Sequence, residues 1–200
     1  MKRIFKRSMM MKLNIKQSLL MAALLLAAVI VGCEKDDNHV AYGYTNIFMP
    51  QATSTGGTTV NYLVPAGKDS ATYNYKVDAK NNKVNVMLGV ERAGLQSNDA
   101  FSVSVISRAD TAAQVVAGGT LGNTAVVLPV DAHTIPATVD VPDGANQNTF
   151  YMSVDLAKLK TYTGKKLVAC VALSNPTKYQ LNSAISKTVV VIDVSALKLP

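Results

Sequence analysis

Lys83-Val84-Asn85-Val86-Met87-Leu88-Gly89-Val90-Glu91-Arg92 places Val84, Val86, Leu88 and Val90 at every second position. Successive side chains on a strand point to opposite faces, so this spacing buries one face and wets the other. The same period recurs in Phe101, Val103 and Val105, which alternate with Ser102 and Ser104. It recurs again in Tyr73, Tyr75 and Val77, and in Phe150, Met152, Val154 and Leu156. Leu167–Leu173 and Thr188–Val194 are apolar almost throughout, which suits inner strands.

Turn chemistry separates these runs. Ser54-Thr55-Gly56-Gly57, Pro65-Ala66-Gly67-Lys68, Gly118-Gly119 and Pro142-Asp143-Gly144 supply the Gly and Pro that tight turns need. Pro50, Pro65, Pro129, Pro136, Pro142 and Pro176 recur at strand-scale intervals and argue against long helices. Short helices are expected only near Asp155–Lys160 and Asn182–Ser186. The expected fold is all-β, an antiparallel sandwich of about seven strands.

The N-terminus carries a different signal. Lys2, Arg3, Lys6, Arg7, Lys12 and Lys16 precede an uninterrupted apolar block, Leu19 to Val31. A spanning helix needs about 20 such residues, so this shorter block behind a basic segment reads as a secretory signal. The block ends in Ile30-Val31-Gly32-Cys33, which resembles the bacterial lipobox, where the cysteine is acylated and the chain is cut before it. The alternative is an ordinary cleavage site with a buried or free cysteine after it. The basic region, apolar block, small residues and Cys33 all fall in register for the lipobox. Two or three acyl chains at Cys33 give stable anchoring where one is marginal. The expected organisation is a signal peptide over 1–32, a lipidated charged tether over 33–41 and a sandwich domain over 42–200.

Glu34-Lys35-Asp36-Asp37 resembles the tag that sends Bacteroidota lipoproteins to the outer face of the outer membrane, with Lys35, Asp36 and Asp37 as its core. The competing reading is a solvated charge run that keeps the domain off the membrane. The expected localisation is therefore the outer membrane, lipid-anchored and facing the exterior.

The formal charge of +7 does not imply a nucleic-acid partner. Six of the 20 Lys and Arg precede Cys33 and none of the 13 acidic residues does, which leaves 14 basic against 13 acidic residues beyond it. No basic and aromatic cluster occurs there, so the footprint of a nucleic-acid binder is missing. With Cys33 acylated, Cys170 is the remaining thiol. It lies inside Leu167–Leu173, where a small buried hydrophobe is a better reading than a nucleophile.

Several stretches resemble one family. Asn46-Ile47-Phe48-Met49-Pro50-Gln51-Ala52 is similar to the opening of a domain of unknown function common on Bacteroidota surface lipoproteins. Val126-Val127-Leu128-Pro129 and Pro136–Gly144 resemble its middle, and Ser174–Asn182 with Thr188–Asp193 its end. The resemblance implies an immunoglobulin-like sandwich, often N-terminal to a glycan-binding module or a glycoside hydrolase. It implies an accessory role in glycan capture or uptake beside outer-membrane transport proteins. This chain departs from that layout in stopping at Pro200.

Catalytic constellations are not legible. Glycoside hydrolysis needs two carboxyl groups flanking one bond, and beyond residue 32 the glutamates are Glu34 and Glu91 alone. His39 falls in the tether, and His133 reads as an exposed strand-end residue. Gly164-Lys165-Lys166 lacks the first glycine of a phosphate loop, because Leu159 holds that position. Asp143–Asn148 alternates oxygen ligands as a calcium loop does but lacks the acid that closes one. No metal, cofactor or enzymatic activity is expected.

Sugars pack their apolar faces on aromatic rings, and the chain has no Trp. Among the tyrosines, Tyr162 is the candidate glycan contact because Lys160, Thr161, Thr163 and Lys165 surround it. Tyr73 and Tyr75 read as core residues. Asp69-Ser70-Ala71 and Asp110-Thr111-Ala112 resemble a short Bacteroidota O-glycosylation sequence, with Ser70 and Thr111 as acceptors in expected loops. The leading expectation is a non-catalytic surface lipoprotein that assists glycan binding or uptake. A structural or adhesive protein that binds another protein stands beside it.

Overall fold

The longest strands are β4 (Lys83–Ala93), β9 (Gln147–Asp155) and β10 (Lys166–Ser174), and the other strands arrange themselves around these. The computed structural model describes residues 44–53, 61–94 and 98–200. Two six-stranded sheets form the sandwich. In the first, β1 (Asn46–Phe48), β4, β9 and β7 (His133–Thr134) lie in that order, with β11 (Gln180–Leu181) beyond β1. There β3 (Tyr75–Asp78) also pairs with β4. In the second, the order is β2 (Asn61–Val64), β12 (Lys187–Asp193), β10, β5 (Phe101–Ser107) and β8 (Thr138–Val141), and β6 (Ala125–Val127) also pairs with β10.

The period-two reading of β4 holds in detail. Val84, Val86, Leu88 and Val90 are each fully buried, opposite Val154, Met152, Phe150 and Asn148 of β9. They share one core with Val103, Val105, Val139, Val141, Val190 and Ile192 of the other sheet. An all-β sandwich is therefore correct.

The strand count and the purely antiparallel pairing are not. The described residues contain twelve strands rather than about seven, and β1 with β11, β6 with β10 and β2 with β12 run parallel. The reason is geometric. One edge of β4 is shared by β1 at one end and β3 at the other. One edge of β10 is likewise shared by β5 and β6. Such short strands have too few residues to show a period.

Helix α1 (Ala109–Ala117) is a second departure, because this segment was expected to be a loop. It lies between β5 and β6. Ala112, Val115 and Val116 pack on Val168 and Cys170, the outward side chains of β10. Leu167, Ala169, Val171 and Leu173 face the main core instead. Strand β10 is thus covered on both faces, which accounts for its unbroken apolar run. Helix α2 (Leu156–Lys160) falls where a short helix was expected, and the Asp155 carboxylate caps it by accepting the Lys158 N–H at 3.0 Å. Asn182–Ser186 forms a turn rather than a helix. Its Asn182 side chain accepts the Ala184 N–H, and its carbonyl accepts the Ile185 N–H. Among the described residues no helix is long and apolar enough to cross a membrane.

Candidate functional site

The connection from β2 to β3 brings a tyrosine pair to the side of the sandwich. Asn74, between the two tyrosines, is buried and fully engaged. Its side chain accepts the Ala66 N–H at 2.8 Å and donates to the Leu63 carbonyl at 2.7 Å. Its backbone N–H donates to Ala66, and its carbonyl accepts from Met87 of β4. A single residue therefore ties the end of β2 in one sheet to β4 in the other. Tyr73 and Tyr75 flank this tie and cannot move independently of it.

The loop before them is equally determined. The Asp69 carboxylate accepts the N–H groups of Ala71 and Thr72, and the Thr72 hydroxyl accepts those of Lys68 and Asp69. Gly67 has φ +108°, and a Cβ there would lie 2.4 Å from the Thr72 carbonyl oxygen. Only glycine fits. The loop presents Ser70 at an exposed position.

The Tyr73 and Tyr75 rings stack, with centroids 5.4 Å apart and planes 13° from parallel. Tyr75 is buried, and its hydroxyl accepts the Lys198 N–H at 3.0 Å. Tyr73 is half-buried. The Lys198 ammonium stands 5.5 Å from the Tyr73 ring centroid. Hydrogen bonding to the Tyr73 phenol holds that ammonium above the usual lysine range. Ser70, Tyr73, Tyr75, Lys76, Val77 and Lys198 line a shallow groove of about 480 Å³. The Lys76 ammonium leans over the Tyr151 ring on the neighbouring outer face, 5.9 Å from its centroid. The half-buried Tyr73 ring, backed by the buried Tyr75 and flanked by the Lys198 ammonium, can meet an apolar ring surface and its polar edge together.

The core assignment holds for Tyr75, and Tyr73 packs against the same core while also lining the groove. The inward phase was right for both tyrosines. Tyr73, however, precedes the first residue of an edge strand, where the inward face runs out. Tyr162 is placed elsewhere, in the turn after α2, half-buried and packed against the core. The hydroxyls beside it are committed, Thr161 donating to the Lys158 carbonyl and Thr163 to that of Lys160. Tyr162 does not line the groove.

Of the two expected glycosylation acceptors, Ser70 stands on the groove rim. Thr111 lies in the first turn of α1, half-buried, with its hydroxyl toward the Cys170 thiol. The loop expected for Thr111 is thus a helix. Cys33, Lys35, Asp36 and Asp37 fall outside the described residues.

Other polar side chains are occupied. His133 begins the two-residue β7, a strand-end position as expected, but is half-buried rather than exposed, its Nδ1 3.0 Å from the Pro129 carbonyl oxygen. In the stretch read against calcium, Asn146 turns toward Arg92 and the Asn148 amide donates to the Asp140 carbonyl. Asp110 pairs with Arg108 at 2.9 Å, which holds its carboxyl at about 2. Among the described residues no three His, Cys, Asp or Glu side chains group as metal ligands.

Arg92 is the residue of greatest structural consequence that the sequence reading missed. It is 4 % exposed, and its guanidinium donates to the carbonyls of Asp99 and Ala145 at 2.8 and 2.6 Å. It also reaches Asn98, Asn146 and the Tyr179 hydroxyl, and stacks on the Phe101 and Tyr179 rings. The signal was present, because the alternation of Val84 to Val90 continues to position 92.

No protein-family model and no curated protein matches the chain. Solved structures similar to it include Bacteroides proteins of unknown or loosely described function. One is a candidate carbohydrate-binding protein of Bacteroides ovatus, at 12% identity and TM-score 0.49, over 74% of this chain and 36% of that one. A multidomain Bacteroides ovatus protein that includes DUF1735 matches at 16% identity and TM-score 0.44, over 75% and 45%. An auxiliary nutrient binding protein of Bacteroides thetaiotaomicron matches at 15% identity and TM-score 0.45, over 66% and 43%. The chain spans less than half the length of each of these three.

Proposed function

We propose that this protein is a non-catalytic binding module, anchored by lipid at Cys33 on the outer face of the outer membrane, that captures a saccharide in the Tyr73 groove. The observation that carries the saccharide reading is the stacked Tyr73–Tyr75 pair, fixed by a fully satisfied Asn74 and open to a groove of about 480 Å³. A preorganised aromatic wall loses little entropy on binding, which is what a weakly adhering sugar ring requires. An outer-membrane transport protein nearby would be the recipient of what is captured.

The test is binding of the full-length protein, purified in detergent, to a broad glycan panel. A saturable hit that Tyr73→Ala abolishes and Tyr162→Ala leaves intact supports the groove. Loss on Tyr162→Ala alone moves the site to the turn after α2, and a blank with folded protein rejects the saccharide reading. Anchoring is separately testable. Cys33→Ala should release the protein from membranes and from acyl labelling, and deletion of Lys35-Asp36-Asp37 should abolish surface labelling of whole cells. Ser70 would add the mass of an O-glycan to the intact protein if it is an acceptor, and Ser70→Ala would remove it. Thr111, half-buried in α1, is the poorer acceptor.

A protein partner is the second reading. Leu63, 57% exposed on the outermost strand of its sheet, is the feature that favours it. Cross-linking from position 63 on intact cells would trap such a partner.

A further inference from the structure

We infer that the Tyr73 groove takes an acidic saccharide, one carrying a carboxylate or sulfate, with the Lys198 ammonium as its charge partner. This rests on the saccharide reading above and adds the class of sugar. Two of the six lining residues are lysines and none is acidic. The two acids that bracket this segment are spent locally. Asp69 is held by the N–H groups of Ala71 and Thr72, and Asp78 by both the backbone and side-chain nitrogens of Asn81.

The ion pairs among the described residues use Arg108, Lys158 and Lys178, and each has its own aspartate. Lys198 and Lys76 instead lie against tyrosine rings, at 5.5 and 5.9 Å from the centroids. Lys198 gives one ammonium donor to the Tyr73 phenol, which leaves two of its three for a ligand. The groove therefore presents the Lys198 ammonium beside the Tyr73 ring, with no carboxylate lining it, while the Lys76 ammonium stands on the adjoining outer face. A neutral sugar would use the ring but leave the Lys198 charge solvated. An acidic sugar uses it, and a charge-assisted hydrogen bond is about twice as strong as a neutral one.

The experiment compares three oligosaccharides on the full-length protein in detergent by titration calorimetry. These are a homogalacturonan oligomer bearing carboxylates, the same oligomer fully methyl-esterified, and a carrageenan oligomer bearing sulfates and no carboxylate. The expected result is at least about tenfold tighter binding of one acidic oligomer than of the ester in 50 mM salt, with the gap narrowing several-fold in 500 mM salt as screening grows. Which acidic oligomer wins separates carboxylate from sulfate. Lys198→Met should remove most of the preference for the acidic oligomer over the ester.

Equal binding of acid and ester, both lost in Tyr73→Ala, would overturn the acidic class and leave the saccharide reading standing. No binding of any sugar by a protein whose circular dichroism is native would overturn both. Displacement of the oligomer by polyphosphate at equal charge would also overturn it, because binding would then be simple attraction of anions.

Discussion

Replacing Arg92 with Met should be among the most damaging single changes in the domain. The substitution keeps an unbranched apolar stem and removes the guanidinium. Five polar partners then lose a donor, including the Asp99 and Ala145 carbonyl oxygens at 2.8 and 2.6 Å. An acceptor left unpaired away from water costs about 1–3 kcal/mol, and although the Asp99 carbonyl keeps the Tyr179 hydroxyl at 3.4 Å, the loss spread over five partners amounts to about 3–5 kcal/mol. Replacing a buried charge with a hydrophobe can be neutral when its partners are replaced too, but here the partners remain. For a domain of this size that loss corresponds to a fall of about 8–15 °C in Tm. The assay is urea denaturation followed by circular dichroism, with the midpoint expected to drop by about 2 M. Arg92→Lys should recover only part of the loss, because one ammonium cannot span donors set for a planar fork. A Met variant within about 1 kcal/mol of the parent would refute the reasoning, since it would mean that water replaces the guanidinium at no cost.

Asn74→Ala should destabilise the domain by about 1–3 kcal/mol, because it strands the Ala66 N–H and the Leu63 carbonyl, and it should weaken any ligand of the groove. Urea unfolding checks the first effect and calorimetry the second. Cys170 is 1 % exposed, and burial pushes its thiol above the ordinary 9.0. Alkylation by iodoacetamide at pH 8 should therefore be negligible in the native protein and complete in urea. The unfolded thiol ionises first as pH rises past that ordinary value, so this group lowers stability in alkali and leaves it unchanged below. Asp110 should titrate near 2 by carbon-detected NMR, because the Arg108 guanidinium stabilises its carboxylate. Its contribution is present above the unfolded value of 3.8 and is lost as pH falls through 2, and Arg108→Ala should return the midpoint toward 3.8.

Alternation determines where a side chain points, and that much of the sandwich could be read directly. Val84 to Val90 and Phe150 to Val154 face the core as their spacing requires. The continuous run Leu167–Leu173 announced a strand covered on both faces, but not its cover. Helix α1 is built from Ala112, Val115 and Val116 among alanines, a stripe too weak to stand out until β10 lies beneath it. Strands of two or three residues such as β7 and β11 exist only because a longer neighbour offers them an edge, so no local signal could reveal them. The groove follows the same logic. The inward phase of Tyr73 and Tyr75 was legible, yet one is buried and the other half-open, because burial depends on what the opposing layer supplies at that position. There it supplies Leu197, which is buried in the core, then Lys198, which turns its ammonium over the Tyr73 ring. Phase is a property of the strand, and burial is a property of the partner. A residue on the inward phase at the margin of a sandwich is therefore a candidate for recognition where its cover is incomplete, as at Tyr73, and a structural anchor where, as at Arg92, its charge is drawn into the core and fully engaged.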